Sequence, residues 1–196
     1  MKRPALILLT VVVVAAIGAV VAWRLNPTTA APAPSAIGGP FHLIDQSGNP
    51  VDERLLQGKW TTVYFGYTYC PDVCPTTLAT LAQAIQALGP KAGRVQVVFI
   101  TVDPARDSPA QLRAYLASEA FPRHMIGLTG SPAQVAAAAR AYRVYYRKAG
   151  AGPGYTVDHT SIVYLMDPKG RFVQPVSFDG PPADVARQIA EAMANG

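Results

Sequence analysis

Two cysteines, spaced as Cys70-Pro-Asp-Val-Cys74-Pro, follow directly on the strand-like run Thr62-Val-Tyr-Phe-Gly-Tyr67 and precede a stretch of helical periodicity. The order puts a dithiol at a strand-to-helix junction, where backbone N–H groups are unpaired and chemistry is easily placed. These are the only two cysteines in the chain, so metal binding, redox cycling and a structural disulfide are the uses to weigh. If Cys74 enters a helix begun at Pro75, its thiolate meets the positive end of the helix dipole and its pKa is expected to fall. Pro71 and Pro75 remove two N–H donors and narrow the conformations the loop can sample.

Around that junction the pattern reads as α/β. Phe41 to Asp45 and the turn Ser47-Gly-Asn-Pro50 suggest a leading hairpin. Leu78, Leu81, Ile85 and Leu88 recur at helical spacing until Gly89-Pro90 stops them. Arg94 to Val102 is a Val-, Ile- and Phe-rich buried strand. Ser108-Pro-Ala-Gln111 and Ser131-Pro-Ala-Gln134 each carry an N-cap serine, proline at the first helical position and glutamine three residues after the serine, which predicts two capped helix starts. Short strands are expected at Met125–Leu128 and Val144–Tyr146. A hairpin follows, Ser161–Met166 with Arg171–Val176 about the turn Asp167-Pro-Lys-Gly170, and a final amphipathic helix covers Pro182–Met193. This succession implies a three-layer α/β domain with a central mixed sheet.

With 196 residues, half of them apolar, the chain builds one domain of ordinary size. Its net charge of +5 is scattered, with no Lys/Arg run of five, which argues against nucleic-acid binding. Pro4 to Trp23 is an apolar run of bilayer-spanning length, preceded by Lys2 and Arg3. We read residues 1–25 as an uncleaved N-terminal membrane anchor, because the run exceeds the about 7–15 apolar residues of a signal peptide. The charge bias puts the body outside the cytoplasm: in the periplasm of a bacterium, anchored in the inner membrane, or in the intermembrane space of a mitochondrion. Residues 26–38, rich in Pro and Ala and without charge, read as an extended tether. The folded domain is expected over 39–196.

The cysteine spacing decides only in part. Disulfide oxidoreductases use Cys-x-x-Cys, whereas three intervening residues make a wider loop that can turn both sulfurs toward one ion. Such a soft pair favours Cu(I), although zinc also accepts it. Among three histidines, His159 in Val157-Asp-His-Thr-Ser161 is the expected further ligand, since its polar approach loop leads into a strand that can return to the same sheet edge. His42 and His124 have surface readings. Asp72 and Asp158 flank the expected ligands, either orienting them or lying as solvated turn carboxylates. Asp103-Pro-Ala-Arg-Asp107 reads as a structural loop with Arg106 paired to an aspartate. Arg140, Arg143, Arg147 and Lys148, interleaved with Tyr142, Tyr145 and Tyr146, form the densest basic patch, either an exposed amphipathic face or a docking surface for an acidic partner.

Five separated segments together resemble the Sco/SenC family of copper chaperones: Gly39-Pro-Phe-His-Leu-Ile-Asp45; Gly58-Lys59; Val63 through Cys70-Pro-Asp-Val-Cys74 to Leu78; Thr101-Val-Asp-Pro-Ala-Arg-Asp107; and Val157-Asp-His-Thr160 continuing to Tyr164-Leu-Met-Asp-Pro168. The resemblance implies a thioredoxin-like fold and one copper, Cu(I) or Cu(II), held by Cys70, Cys74 and His159. It further implies cytochrome c oxidase subunit II as the partner, with delivery of copper to that subunit's dinuclear centre or reduction of its cysteines. In the second role Cys70 and Cys74 would be catalytic in thiol–disulfide exchange, and a periplasmic copper donor or thiol reductant would be a further partner. A peroxidase without a distant resolving thiol and a buried, inert disulfide are the remaining alternatives.

Overall fold

Seven consecutive buried residues, Trp60–Gly66, mark strand β3 as an interior strand of the sheet. A strand covered on both faces needs apolar or small side chains at every position rather than at alternate ones, and Trp-Thr-Thr-Val-Tyr-Phe-Gly supplies them. The computed structural model describes residues 37–196; the anchor expected over 1–25, and all but the last two residues of the tether expected over 26–38, lie outside the described residues. Among the described residues no helix is long and apolar enough to cross a membrane.

The strands are β1 (His42–Asp45), β2 (Pro50–Asp52), β3, β4 (Val95–Thr101), β5 (Ile126–Thr129), β6 (Tyr146–Ala149), β7 (Thr156–His159), β8 (Val163–Met166) and β9 (Phe172–Val176). The helices are α1 (Val73–Ala87), α2 (Pro109–Leu116), α3 (Pro132–Ala141) and α4 (Pro182–Asn195). Seven strands form one mixed sheet in the order β2-β1-β5-β4-β3-β8-β9. Within it β3, β4 and β5 are parallel, and β8 runs antiparallel to β3. The expected mixed α/β sheet is therefore present, and the fold is thioredoxin-like.

The expected helix starts form as read, with one instructive difference. Ser131 accepts from the N–H of Gln134 while the Gln134 side chain accepts from the N–H of Ser131, a complete capping box. Ser108 likewise caps Gln111, but the Gln111 side chain turns away and donates to Thr68 Oγ1 at 3.1 Å, beside the cysteine loop.

Two expectations are corrected. The strand expected at Val144–Tyr146 starts later, at Tyr146, and does not join the central sheet. It pairs antiparallel with β7, with Tyr146 opposite His159, in a separate two-stranded ribbon. The expected polar approach loop ahead of His159 is thus a strand. Its Gly-rich segment closes the hairpin: Gly150 and Gly152 sit at φ of 86° and 73°, where other residues are strained. Val157 is the one apolar residue of β7 and is buried, too weak a hydrophobic signal for a four-residue strand to be read from sequence.

Candidate metal centre

β3 delivers the chain to Thr68 and Tyr69, a tight turn follows in which the Cys70 N–H donates to the Tyr67 carbonyl at 3.2 Å, and α1 starts at Val73. The helix begins two residues earlier than expected, with Pro75 inside its first turn, where a missing N–H costs nothing. Because β8 is antiparallel to β3 and Val163 lies opposite Tyr64, the approach to β8 arrives at the edge where β3 ends. Four residues before Val163 stands His159. The two segments meet for that topological reason.

The three expected ligands converge. Cys74 Sγ lies 3.5 Å from His159 Nε2, and one donor atom from each of Cys70, Cys74 and His159 falls within 4.8 Å of the others. The Cys70 sulfur accepts from the Cys74 N–H at 3.4 Å, and neither cysteine is in a disulfide. Cys74 is buried, while Cys70 and His159 are half-buried. His159 Nδ1 is 3.1 Å from the Thr160 carbonyl, an oxygen that can only accept. Nδ1 therefore carries the proton, and Nε2 turns a lone pair toward the cysteines, the form a metal ion requires. Burial holds the His159 pKa below the ordinary histidine value, which favours the same neutral form.

Cys74 departs from expectation. Burial pushes its thiol up to about 12, with the Cys70 sulfur adding to the rise, whereas the helix start alone would have lowered it. The helix-end effect is typically below about 1 kcal/mol at exposed positions, and a fully enclosed sulfur loses more than that in solvation.

The walls are aromatic and glycine. The rings of Tyr64 and Tyr67 approach His159 edge-on, with centroids at 6.3 and 5.9 Å. Gly66 was not singled out from sequence. A Cβ there would lie 2.8 Å from the Phe99 ring and 3.0 Å from Cys74 Sγ, so the sulfur occupies the space a side chain would fill. A glycine inside a strand pattern is the signal that could have found it.

Of the flanking carboxylates, neither orients His159. Asp158 pairs with Arg147 at 3.0 Å on the surface, and Asp72 accepts from Thr76 Oγ1 at 3.3 Å. His42 and His124 are exposed, as expected. The loop Asp103–Asp107 is structural, as read: Arg106 pairs with Asp103 at 2.5 Å, and the enclosed Asp107 carboxylate accepts from Thr68 N, Thr68 Oγ1 and Thr101 Oγ1 at 3.1, 2.7 and 2.6 Å. Asp107 thereby ties the cysteine loop to the end of β4. The basic patch is not one face: Tyr142 is buried against Phe65 and Tyr164, Arg147 is paired, and Lys148 Nζ lies 3.8 Å from the centre of the Tyr155 ring.

A thioredoxin-like domain with two thiols and a neutral imidazole gathered at the end of the buried strand β3 defines a class: small α/β proteins with a candidate soft-metal or redox dithiol centre. Comparison narrows the class. The family described as SCO1/SenC matches residues 29–194, and the chain belongs to this family. It is 48% identical over 142 residues to the mitochondrial SCO1 homologue 1 of Arabidopsis thaliana, covering 71% of this chain and 42% of the relative. It is 44% identical over 158 residues to SenC of Rhodobacter capsulatus, covering 80% and 71%. ScoI of Bradyrhizobium japonicum, solved with copper bound, superposes with a TM-score of 0.73 at 46% identity, covering 80% of this chain and 99% of that one. The chain spans less than half the length of the Arabidopsis relative.

Proposed function

We propose that this protein is a copper metallochaperone that carries one copper ion on Cys70, Cys74 and His159 and delivers it to the dinuclear copper centre of cytochrome c oxidase subunit II. The observation that carries the reading is the convergence of three donors, two sulfurs and one lone-pair nitrogen, within 4.8 Å. Two thiolates and a neutral imidazole suit a soft cation, and a set of three leaves a position open for an incoming ligand. Copper is cargo, so it must be exchangeable. The half-buried Cys70 is the side from which an acceptor thiolate can approach, and the enclosed Cys74 with His159 retains the ion until that bond has formed.

The anchor and tether fit this task. Residues 1–25 as a membrane helix and 26–38 as an extended leash would hold the 39–196 domain in the periplasm, or the intermembrane space of a mitochondrion, within reach of a membrane-embedded oxidase. Membership of a family with mitochondrial and bacterial relatives supports that placement.

A reductase reading has one observation in its favour, the paired free thiols with Cys70 more exposed than Cys74. In that role Cys70 would attack a partner disulfide and Cys74 would resolve the mixed disulfide. A resolving thiol pushed up to about 12 is almost wholly protonated at neutral pH, which makes that second step slow.

The test is copper stoichiometry on the full chain, reduced and anaerobic, beside Cys70→Ala, Cys74→Ala and His159→Ala. One copper per chain, lost or weakened in each variant, is expected. A reduced wild-type chain that retains no copper would sink the chaperone and leave the reductase.

A further inference from the structure

The hairpin that carries His159 is outside the central sheet, and a lone two-stranded ribbon is marginally stable in water. Something other than strand pairing must fix the imidazole to the precision that a metal ligand demands. Among the described residues the contacts converge on Arg106, in the loop between β4 and α2. Its Nε meets Asp103 Oδ2 at 2.5 Å, and its Nη1 donates to the Tyr155 carbonyl at 3.0 Å and the Pro153 carbonyl at 3.4 Å. The guanidinium carbon lies 3.6 Å from the centre of the Tyr155 ring, 4.6 Å from that of Tyr69 and 5.8 Å from that of Tyr67. The other Asp103 oxygen, Oδ1, accepts from the Tyr155 hydroxyl at 2.7 Å. Asp103 is itself fixed, its N–H donating to Thr101 Oγ1 at the end of β4.

The result is a closed ring of contacts. Asp103 holds Arg106 and Tyr155, Arg106 lies against the Tyr155 ring and donates to its carbonyl, and Tyr155 is the residue before β7, four positions ahead of His159. The same guanidinium faces Tyr69, the neighbour of Cys70. Arg106 therefore touches both ligand-bearing segments while touching neither ligand class itself. Its second amino nitrogen, Nη2, is buried with no hydrogen-bond partner among the described residues, so ring faces rather than water surround that end. A planar cation suits this slot and an ammonium does not: lysine keeps the charge but loses the fork to two carbonyls and the stacking surface.

We propose that Asp103, Arg106 and Tyr155 form a positioning device that sets His159 against the cysteine pair by docking the β6–β7 hairpin onto the cysteine loop. The role in copper binding rests on the reading of Cys70, Cys74 and His159 as copper ligands. The docking of the hairpin does not, and the two are separable by experiment.

The test is a double-mutant cycle on the detergent-solubilised full chain, with copper affinity measured for wild type, Arg106→Lys, His159→Ala and the pair. Outer partners of metal ligands typically contribute about ten- to a hundredfold in affinity. Arg106→Lys is expected to weaken copper by about tenfold when His159 is present and to have no further effect in the His159→Ala background. Tyr155→Phe, which keeps the ring and removes only the hydroxyl to Asp103, should fall between wild type and Arg106→Lys. In the copper-free protein, amide hydrogen exchange of Thr156–His159 should quicken in Arg106→Lys while that of β3 and β4 stays unchanged. An equal loss of affinity in both backgrounds would show a general structural effect and overturn the positioning role, as would an unchanged affinity. If the wild type binds no copper, the chaperone reading fails by itself. Hydrogen exchange then decides alone, and unaltered protection of the hairpin in Arg106→Lys overturns the docking.

Discussion

Gly66→Ala is the most demanding substitution for the account of the site given above. A β-carbon at residue 66 would stand 2.8 Å from Phe99 Cε2, 3.1 Å from Phe99 Cζ and 3.0 Å from Cys74 Sγ. Carbon atoms pack best at about 3.5–4.0 Å, so the ring contact is short by about 0.7 Å or more. Neither neighbour can give easily, since Phe99 and Cys74 are both at 0% exposure, and Phe99 is set edge-on to Tyr64 with centroids 6.0 Å apart. Overpacking of this kind costs about 1–3 kcal/mol, and the two-sided squeeze places this case near 2. With a urea dependence of about 2 kcal/mol per molar for a domain of this size, the unfolding midpoint should fall by about 1 M. The sulfur must also move, and metal bonds tolerate only about 0.2 Å, so copper affinity should drop as well, by about tenfold. Phe99→Leu in the same chain makes room, and the double variant should be less destabilised than the sum of the singles by about 1 kcal/mol. A Gly66→Ala protein with an unchanged midpoint and additive behaviour with Phe99→Leu would refute the packing argument, because no unusual backbone angle at Gly66 offers another explanation.

Two further outcomes are expected. The Cys74 thiol, pushed up by burial to about 12, is protonated at neutral pH, so Cu(I) must displace that proton. Apparent affinity should therefore rise by about tenfold per pH unit from this group alone across the neutral range, and competition against a chelator of known pH behaviour that showed a flat profile would exclude Cys74 as a thiolate ligand. Asp167, at the turn between β8 and β9, is held below the ordinary carboxylate value: burial works against it, but the Arg171 side chain and N–H and the Lys169 N–H prevail. A depressed folded value adds stability that is fully present above the unfolded pKa of 3.8 and is lost as pH falls through the folded one. Asp167→Asn should thus unfold more readily than wild type at neutral pH, and the gap should close in acid; a gap independent of pH in denaturant titrations would contradict this.

Local sequence determined a good deal of this protein. The apolar-rich runs of β3 and β4 specify strands covered on both faces, the two Ser-Pro-Ala-Gln segments specify helix starts, and Cys70 and Cys74 declare their own proximity because only three residues separate them. Each of these rests on interactions within a few positions along the chain, where propensity and side-chain period act directly. His159 was legible as a candidate only because so few histidines exist and because its segment leads into a strand. Its 3.5 Å approach to Cys74, across 85 positions, was decided by the antiparallel placement of β8 beside β3. Tertiary structure also reversed the expected direction of the Cys74 shift, since the helix end acts locally but desolvation depends on everything packed around the sulfur. The enclosure of Arg106 by Tyr67, Tyr69 and Tyr155 belongs to the same class. Two segments distant in sequence, at Tyr67–Tyr69 and at Tyr155, supply it, and no periodicity encodes which loops a sheet order will bring together.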